Sequence, residues 1–302
     1  MAALLTSVLD NSDKVSGYIG ECRECGIALL PPDINRSADR FTVEEGGIRF
    51  GLVAIKNIGR GFIQAVMRER ETGGDFTSLY DFCSRMNGSE MNKRAVENLI
   101  RSGAFDSMGA RRSQLIKVYE SVMDSVAAQQ RENVEGQMDF FSMAADNDEK
   151  SNSVKEIPLP DIPEYTPEEL MTMEKATTGL YLSGHPMDHY RDAVRKLHAP
   201  TIVSIIEDFS RENGPERFTD GQRITIAGVI TSSKTKTTKN NSLMAYVMVE
   251  DDTASLELLC FSRVLETCGA YMKENQAVVV KGRLSVRDEK APQIMCDSIY
   301  PL

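Results

Sequence analysis

Tryptophan is absent from this 302-residue sequence, and all aromatic residues together make up 7% of it. An extended aromatic surface on which nucleic-acid bases stack is therefore not expected. The longest apolar runs, such as Ala277–Val280, are far shorter than the roughly 20 residues of a membrane-spanning helix. The opening residues lack the basic and apolar regions of a secretory signal. These absences predict a cytoplasmic globular protein, and the chain length corresponds to about two or three domains.

Residue sets that bind metals or perform catalysis are also missing. Cys22 and Cys25 form a CxxC pair, but no second pair lies nearby to complete the four ligands of a structural zinc site. The three histidines form no HExxH pattern, and no GxxxxGK[ST] loop occurs. Asp251 and Asp252 are interpreted as turn residues. We therefore predict no catalytic residue, no metal site and no cofactor in this chain.

Charge is distributed unevenly along the chain, which has a formal net charge of −10. Residues 126–220 contain 9 basic and 19 acidic residues. Residues 1–125 contain 16 basic and 17 acidic residues, and residues 221–302 contain 10 and 9. The two nearly neutral flanks can present basic loops to phosphate, whereas the acidic middle would repel it.

The first half of the chain is predicted to be mainly helical. The opening stretch to about Asp33 has a helical pattern, and a small hairpin is expected between Phe41 and Phe50. From Gly51 to about Val126, short helices separated by glycines predict a compact all-helical module.

The composition and periodicity of the second half of the sequence indicate a change of structure. Residues 128–165 are acidic and rich in proline, which indicates a flexible linker, and residues 166–220 predict a helical connector. From Gly221 the spacing indicates five strands, among them Leu243–Glu250 and Ser255–Phe261, with a helix after the third. This is the element order of an OB-fold, a small Greek-key barrel. The fold class is therefore a multidomain α+β protein.

A glycine-rich turn lies between two of the predicted helices. Gly59 and Gly61 permit a tight hairpin whose backbone N–H groups face an anion at the start of the next helix. A helix-hairpin-helix element grips DNA phosphates in this way without reading the base sequence. The candidate duplex-binding residues are Lys56, Asn57, Gly59, Arg60 and Gly61. The alternative is a glycine-rich helix connection that does not contact DNA.

A second, degraded copy of this pattern occurs at Leu99–Asp106. Its candidate duplex-binding residues are Gly103, Arg111 and Arg112. Two copies in tandem favour a double helix-hairpin-helix module over a chance turn.

The predicted barrel has lysines in the connection between its first two strands. In an OB-fold this loop and the second and third strands line the oligonucleotide groove. Tyr246 alternates with Val247 and Val249, so it should face outward, where a base can stack on it. The candidates for weak, sequence-tolerant single-strand binding are Lys234, Lys236, Lys239, Tyr246, Phe261 and Arg263. For Phe261 the alternative is packing inside the barrel.

An apolar island, Gln137-Met138-Asp139-Phe140-Phe141, interrupts the predicted linker. Two adjacent phenylalanines in an acidic segment have no core to join, and such exposed anchors await a pocket on a partner. The alternative is that they pack onto the neighbouring helical module.

Four stretches in a fixed order carry a family resemblance. They are LLPPDIN within Glu21–Asn35, then IRFGLVAIKNIG, NLIRSGAFD and GLYLSGHPMDHY. Together they resemble the C-terminal part of the alpha-subunit family of bacterial DNA polymerase III, the replicative polymerases of the C family. GLYLSGHPMDHY is interpreted as a signature of structural type.

The resemblance implies an assignment for each segment. Residues 1–47 end the fingers domain, and residues 48–127 form the tandem helix-hairpin-helix module that contacts duplex DNA. Residues 128–165 are a linker with a clamp-binding motif, residues 166–220 a helical connector, and residues 221–302 an OB domain near the single-stranded template.

The island QMDFF is similar to the sliding-clamp-binding motif of that family. Gln137 would anchor it, Met138 and Phe140 would take the aliphatic positions, and Phe141 the terminal aromatic one, with Asp139 between them. Phe140 stands where the family more often has leucine. The resemblance thus implies DNA, the sliding clamp and other replisome subunits as partners.

The catalytic part of that family is not expected here. Its palm domain, whose aspartates hold Mg²⁺, lies upstream of every segment in this chain, so the chain alone should not polymerise DNA. One hypothesis is a fragment of a replicative DNA-directed DNA polymerase. The alternative is an autonomous, non-enzymatic adaptor that binds single-stranded DNA. The opening partway through a domain favours the first.

Overall fold

The computed structural model describes residues 1–8, 18–19, 21–22, 25–88, 90–138, 157–211, 214–238, 241–286 and 291–302, with the side chains of 130–138 excepted. The chain divides into two compact units. The first contains α1 (Ala2–Ser7) and Cys25–Ser183, and the second contains Gly184–Leu302.

A three-stranded sheet opens the first unit. It consists of β1 (Ala28–Leu30), β2 (Thr42–Glu44) and β3 (Gly47–Arg49), in the order β1-β3-β2. The antiparallel pair of β2 and β3 is the predicted hairpin, with Gly46 in the turn at a φ of 96°. The parallel strand β1 replaces the end of the predicted opening helix, because its partner strand lies 19 residues downstream and leaves no local signal.

Helices form the rest of the first unit. They are α2 (Arg60–Gly73), α3 (Leu79–Arg85), α4 (Lys93–Arg101), α5 (Arg112–Met138) and α6 (Pro167–Thr178). Local capping fixes several starts: the side chains of Ser78 and Asn92 accept the N–H of Asp81 and Ala95. Thr166 and Glu169 form a reciprocal capping box at the start of α6.

Four phenylalanines fill the centre of the helical module. The ring of Phe82 lies edge-to-face with those of Phe62, Phe76 and Phe105, at centroid distances of 6.2, 5.0 and 5.1 Å. All four side chains are at most 2% exposed. This aromatic core joins α2, α3 and the turn that precedes α5, and so holds the two predicted hairpins in one body.

The predicted linker 128–165 differs from the structure at both ends. Helix α5 continues 11 residues beyond the expected end, to Met138, because Gln, Arg and Glu in QQRENVEGQ are good helix formers that need no core. Residues 157–165 run along the start of α5 and are hydrogen bonded to it. The predicted connector is divided too: α6 belongs to the first unit, and the helices after Gly184 belong to the second.

The second unit is a closed five-stranded barrel in the order β4-β5-β6-β8-β7. The strands are β4 (Arg223–Thr237), β5 (Leu243–Glu250), β6 (Ser255–Phe261), β7 (Ala277–Ser285) and β8 (Gln293–Pro301). Helix α9 (Ser262–Cys268) follows the third strand, as the OB-fold prediction requires. Strand β4 pairs with both β5 and β7, which closes the barrel.

Two helices, α7 (Arg191–Leu197) and α8 (Ile202–Phe209), precede the barrel. Ile202 and Ile205 of α8 join the barrel core. Asp251, in the β5–β6 turn, accepts the N–H of Ile202 at 2.7 Å and those of Thr253 and Ala254 at 2.8 and 2.9 Å. The interpretation of Asp251 as a turn residue is confirmed, and the same carboxylate also caps α8.

Candidate nucleic-acid interface

The first predicted hairpin is the turn from Ile55 to Gly59, where α2 begins. Its left-handed residue is Asn57, with φ of 61°. Gly59 is the N-cap of α2 with φ of −73° and ψ of 143°, an extended conformation that any residue adopts. The expectation that Gly59 shapes the turn is therefore wrong, since asparagine takes the left-handed position.

Lys56 makes three hydrogen bonds within the first unit. Its backbone N–H donates to the carbonyl oxygen of Thr177 at 2.8 Å, and its exposed Nζ donates to that of Ala176 at 3.1 Å. The Nδ2 group of Asn98 donates to the carbonyl oxygen of Lys56 at 2.6 Å. A cation at the C-terminal end of a helix is stabilised by the helix dipole. The side chain expected to face DNA thus braces the turn against α6.

Arg60 and Gly61 form the exposed start of α2, whose first turn contains no acidic residue of its own. The carboxylate of Glu90 lies against this turn. A Cβ atom on Gly61 would come within 2.8 Å of Glu90 Oε2 and 3.3 Å of Oε1, whereas one on Gly59 would lie 3.9 Å from Oε2. The open face of the first hairpin therefore already contains an anionic group.

The second predicted hairpin is built around a buried arginine. The guanidinium of Arg112 pairs with Asp106 at 2.6 Å and with Glu174 at 3.0 Å, and the residue is 6% exposed. Gly103 has φ of 84°, and a Cβ there would lie 2.3 Å from Arg112 Nη2. Arg112 and Gly103 are thus structural, which corrects their assignment as DNA contacts, because a buried, paired guanidinium cannot reach phosphate.

A carboxylate from outside the hairpin also caps the start of α5. Glu164 accepts the N–H of Arg112 at 2.8 Å and that of Ser113 at 3.0 Å. Burial alone would raise the pKa of Glu164, but the N–H groups of Ser113, Tyr165 and Arg112 outweigh it and lower the pKa. Arg111 is half exposed and donates to the carbonyl oxygen of Ile162 at 2.7 Å. The first two N–H groups of α5 are therefore already hydrogen bonded to a carboxylate of the chain itself.

Glu174 is a buried residue that the sequence reasoning missed. Its carboxylate, 1% exposed, accepts from Arg112, from the N–H groups of Leu182 and Ser183 at 3.0 and 2.9 Å, and from Ser183 Oγ at 3.0 Å. No local pattern marks this residue, because its partners lie 62 residues before it and eight or nine after it. The signature GLYLSG thus has a structural role in the first unit.

The outer face of the barrel brings most single-strand candidates together. Ala245, Val247 and Val249 are buried in the core, and Tyr246 points the other way and is half-buried. Tyr246 is in register with Lys234 on β4 and with Leu259 on β6. The outward phase predicted for Tyr246 is therefore confirmed.

A second row of residues lies beside the first on this face. Lys236 is in register with Met244, which is in register with Phe261. Phe261 is 43% exposed, so the alternative of packing inside the barrel is wrong for it. Arg263 is exposed in the first turn of α9. We call the surface formed by Lys234, Lys236, Met244, Tyr246 and Phe261 the outer strand face.

Two details of the predicted single-strand site differ from the structure. Lys234 and Lys236 lie within β4 itself rather than in a loop, because β4 extends to Thr237 with its lysines alternating outward. Lys239 lies outside the described residues.

The predicted clamp motif lies mostly outside the described residues. Gln137 and Met138 are the last two residues of α5, and nothing is described of their side chains. Asp139, Phe140 and Phe141 fall in the stretch that is not described. The motif therefore stays a prediction.

Within the described ranges, no group of three His, Cys, Asp or Glu side chains is arranged to hold a metal ion. None of the helices in that part of the chain combines the length and apolar character of a membrane span.

Known families and relatives match this arrangement. The family model of the helix-hairpin-helix motif matches residues 26–115, and that of the OB-fold nucleic acid binding domain matches residues 224–302. The DNA polymerase III subunit alpha of Saccharopolyspora erythraea is 36% identical over 294 residues, which are 95% of this chain and 24% of that protein. The chain is homologous to the C-terminal part of DNA polymerase III alpha subunits.

Two further DNA polymerase III alpha subunits match over a similar share of this chain. The subunit of Vibrio cholerae is 32% identical over 289 residues, or 95% of this chain and 24% of that protein, and that of Mycobacterium tuberculosis H37Rv is 32% identical over 301 residues, or 100% and 25%. The chain thus spans about a quarter of the length of the curated relatives it matches. Among solved structures, the protein described as the second single-stranded DNA-binding protein of Mycobacterium smegmatis aligns with a TM-score of 0.25 and 14% identity. The alignment covers 27% of this chain and 86% of that protein.

Proposed function

We propose that this chain is the part of a replicative DNA polymerase that holds DNA and tethers the enzyme to a sliding clamp. Duplex DNA would lie at the first hairpin and the single-stranded template on the outer strand face. Homology over 95% of the chain to polymerase subunits favours this function over an autonomous adaptor. The observation that carries the proposal is the outer strand face, where Lys234 is in register with the half-buried Tyr246 and Lys236 is in register, through Met244, with the exposed Phe261.

The chemistry of that face suits a single strand. Lys234 and Lys236 are two residues apart on one strand, so their side chains emerge about 7 Å apart along β4. Tyr246 and Phe261 lie in the same two rows and offer ring faces to bases, which stack for roughly 1–3 kcal/mol each. Backbone phosphates would pair with the lysines while the bases stack, without sequence readout.

Fluorescence anisotropy of a labelled oligo-dT with the whole chain tests this proposal. Tyr246→Ala should weaken binding by about 5- to 150-fold, which corresponds to the loss of one stacked base. Tyr246→Phe should keep most of the affinity. Tyr300→Ala, which removes an exposed tyrosine of the barrel that is not part of the outer strand face, serves as the control. Equal affinities of the Tyr246→Ala and Tyr300→Ala chains would refute the outer strand face as the binding site.

The salt dependence separates phosphate contacts from stacking. Replacing both Lys234 and Lys236 by alanine should lower the slope of log K against log salt by about 1.4, since each neutralised phosphate of a single strand contributes roughly 0.7. A slope equal to that of the unmodified chain would show that these lysines are only solvated surface.

The first hairpin is tested with a duplex. Arg60 is exposed at the first position of α2, where a backbone phosphate would approach both its side chain and the helix start. Arg60→Ala should weaken the binding of a labelled 20-base-pair duplex and reduce its salt slope by about 0.9. Duplex binding that does not change would remove the first hairpin from the interface.

The clamp tether is supported by the motif Gln137–Phe141, which begins at the end of α5. Calorimetric titration of a bacterial sliding clamp should show binding that is lost on Phe140→Ala plus Phe141→Ala and kept on Met143→Ala. Phe140→Leu should bind more tightly, because leucine suits an aliphatic pocket position. A clamp that fails to bind the unmodified chain would contradict the tether.

A further inference from the structure

We propose that Cys260 and Cys296 form an oxidation site inside the barrel, where a peroxide converts two contacting thiols into a disulfide that joins β6 to β8. We call the line along which these two strands pair the seam. The inference does not depend on DNA binding, because it concerns the barrel alone. The barrel would then have two states, one reduced and one covalently closed.

The seam is the shortest strand pairing of the barrel. It is parallel, and β6 and β8 are in register over three positions, beginning with Glu257 and Gln293. The other four pairings are antiparallel and run over seven or eight positions each. Parallel pairs are also slightly less stable per residue than antiparallel ones. The barrel is therefore expected to open first between β6 and β8.

Cys260 and Cys296 lie where this pairing ends. They directly follow Leu259 and Met295, the last pair in register. Both side chains belong to the barrel core, with Cys260 fully buried and Cys296 4% exposed. Both cysteines are free thiols, and the two thiols are hydrogen bonded to each other. Two oxidisable sulfur atoms are therefore already in contact across the seam.

A disulfide at this position requires little movement of the backbone. Neighbouring strands lie about 4.8 Å apart, and the Cα atoms of a disulfide are usually about 4.4–6.8 Å apart. Residues that continue a register of neighbouring strands fall within this range. A register shift between β7 and β8 also leaves Asp297 as a bulge next to Cys296, so the strand pairing is already interrupted there.

The closed seam keeps this pair reduced. The hydrogen bond with Cys260 raises the pKa of Cys296, and burial raises it further. The thiolate is the form that attacks an oxidant, so little of the reactive form is present while the barrel is closed. Opening of the seam admits water and peroxide together, and closing it again brings the two sulfur atoms back into contact. The site therefore reacts only when its weakest strand pairing opens.

The reaction with hydrogen peroxide takes two steps. One thiolate attacks a peroxide oxygen, the O–O bond breaks, hydroxide leaves, and the sulfur becomes a sulfenic acid. The second thiolate then attacks that sulfur, the S–S bond forms, the S–O bond breaks, and a second hydroxide leaves. The two thiol protons convert both hydroxides into water. Both sulfur atoms are thus oxidised to the disulfide, and the peroxide is reduced to two water molecules.

Treatment of the whole chain with hydrogen peroxide tests the inference directly. The remaining thiols are then alkylated in urea, and the chain is digested and mapped by mass spectrometry without reduction. We expect one peptide pair linked through Cys260 and Cys296, lighter by two hydrogen atoms than the two reduced peptides together. Cys268 should be recovered as an alkylated thiol. It is the matched control, because it is a third buried thiol of the same core, 7% exposed.

Hydrogen–deuterium exchange measures whether the disulfide closes the seam. Backbone amides of β6 and β8 should exchange at least about tenfold more slowly in the oxidised chain, because the cross-link removes the openings that expose them. A thiol reductant should restore the original rates. After the same peroxide treatment, Cys296→Ala should keep the rates of its own reduced form, whereas Cys268→Ala should show the slowing of the unmodified chain.

Two results would overturn the inference. The first is a peroxide-treated chain from which Cys260 and Cys296 are both recovered as alkylated thiols, or are each oxidised separately without a link. The second is a linked pair that leaves the exchange rates of β6 and β8 unchanged. Peptide mapping uses the unmodified chain, so its result does not depend on whether Cys296→Ala folds.

Discussion

Replacing Glu174 by methionine removes the carboxylate that joins α6 to the second hairpin. Arg112 would keep Asp106 as a partner, but it would lose its buried contact at 3.0 Å, and the N–H groups of Leu182 and Ser183 would lose their acceptor. Breaking a buried ion pair from one side costs about 3–5 kcal/mol. Because Arg112 stays paired with Asp106, we expect about 3 kcal/mol, at the low end of that range.

The assay is urea unfolding followed by circular dichroism at 222 nm, which reports on the helical first unit. Tryptophan fluorescence is not an option, since the chain has no tryptophan. Glu168→Met, on the exposed first turn of α6, is the control and should cost less than about 1 kcal/mol. In a double-mutant cycle, Arg112→Met combined with Glu174→Met should cost less than the sum of the two changes. A loss below 1 kcal/mol, or strict additivity, would refute the ion pair as a stabilising contact.

Two further predictions concern the hairpins. Gly103→Ala should lower the free energy of unfolding by at least about 1–3 kcal/mol, because φ is 84° and the new Cβ would meet Arg112. Gly59→Ser should leave the free energy of unfolding unchanged or raise it slightly, because serine suits the N-cap position of α2. Thermal unfolding measures both effects. Because the pKa of Glu164 is lower in the folded chain, the unfolded chain binds protons more readily, so the contribution of Glu164 is present above about pH 4.3 and is lost as the pH falls through the folded pKa. The melting temperature of a Glu164→Gln chain should therefore fall less between pH 5 and 3 than that of the unmodified chain, and equal slopes would contradict this.

The barrel could be predicted from the sequence because its signals are local. The strands β5 and β6 have the predicted bounds, since alternation of buried and outward residues is written in each strand separately. The outward phase of Tyr246 follows from its two valine neighbours alone. The largest difference is the length of β4, because threonines, serines and lysines are typical of loops as well as of exposed strand ends, whereas β7 and β8 differ from the prediction by one or two residues at one end.

The second hairpin could not be predicted in the same way. In the sequence, Arg111 and Arg112 are typical of a basic pair on the surface. The carboxylates that pair with Arg112 belong to Asp106 and to Glu174, which lies 62 residues away. Long-range burial of a charge leaves no periodic mark in the sequence. Glu164 is hidden for the same reason, because it caps a helix start that lies 52 residues before it in the chain.

The length of α5 sets an angle as well as a distance for whatever follows it. Its 27 residues form a rod of about 40 Å, fixed at one end by Glu164 and ending at Met138. Each residue inserted into or deleted from this rod turns its far end by about 100° and moves it by about 1.5 Å. A deletion of seven residues would shorten the reach by about 10 Å but nearly restore the direction, whereas a deletion of two would keep the reach and point the next residues to the opposite side.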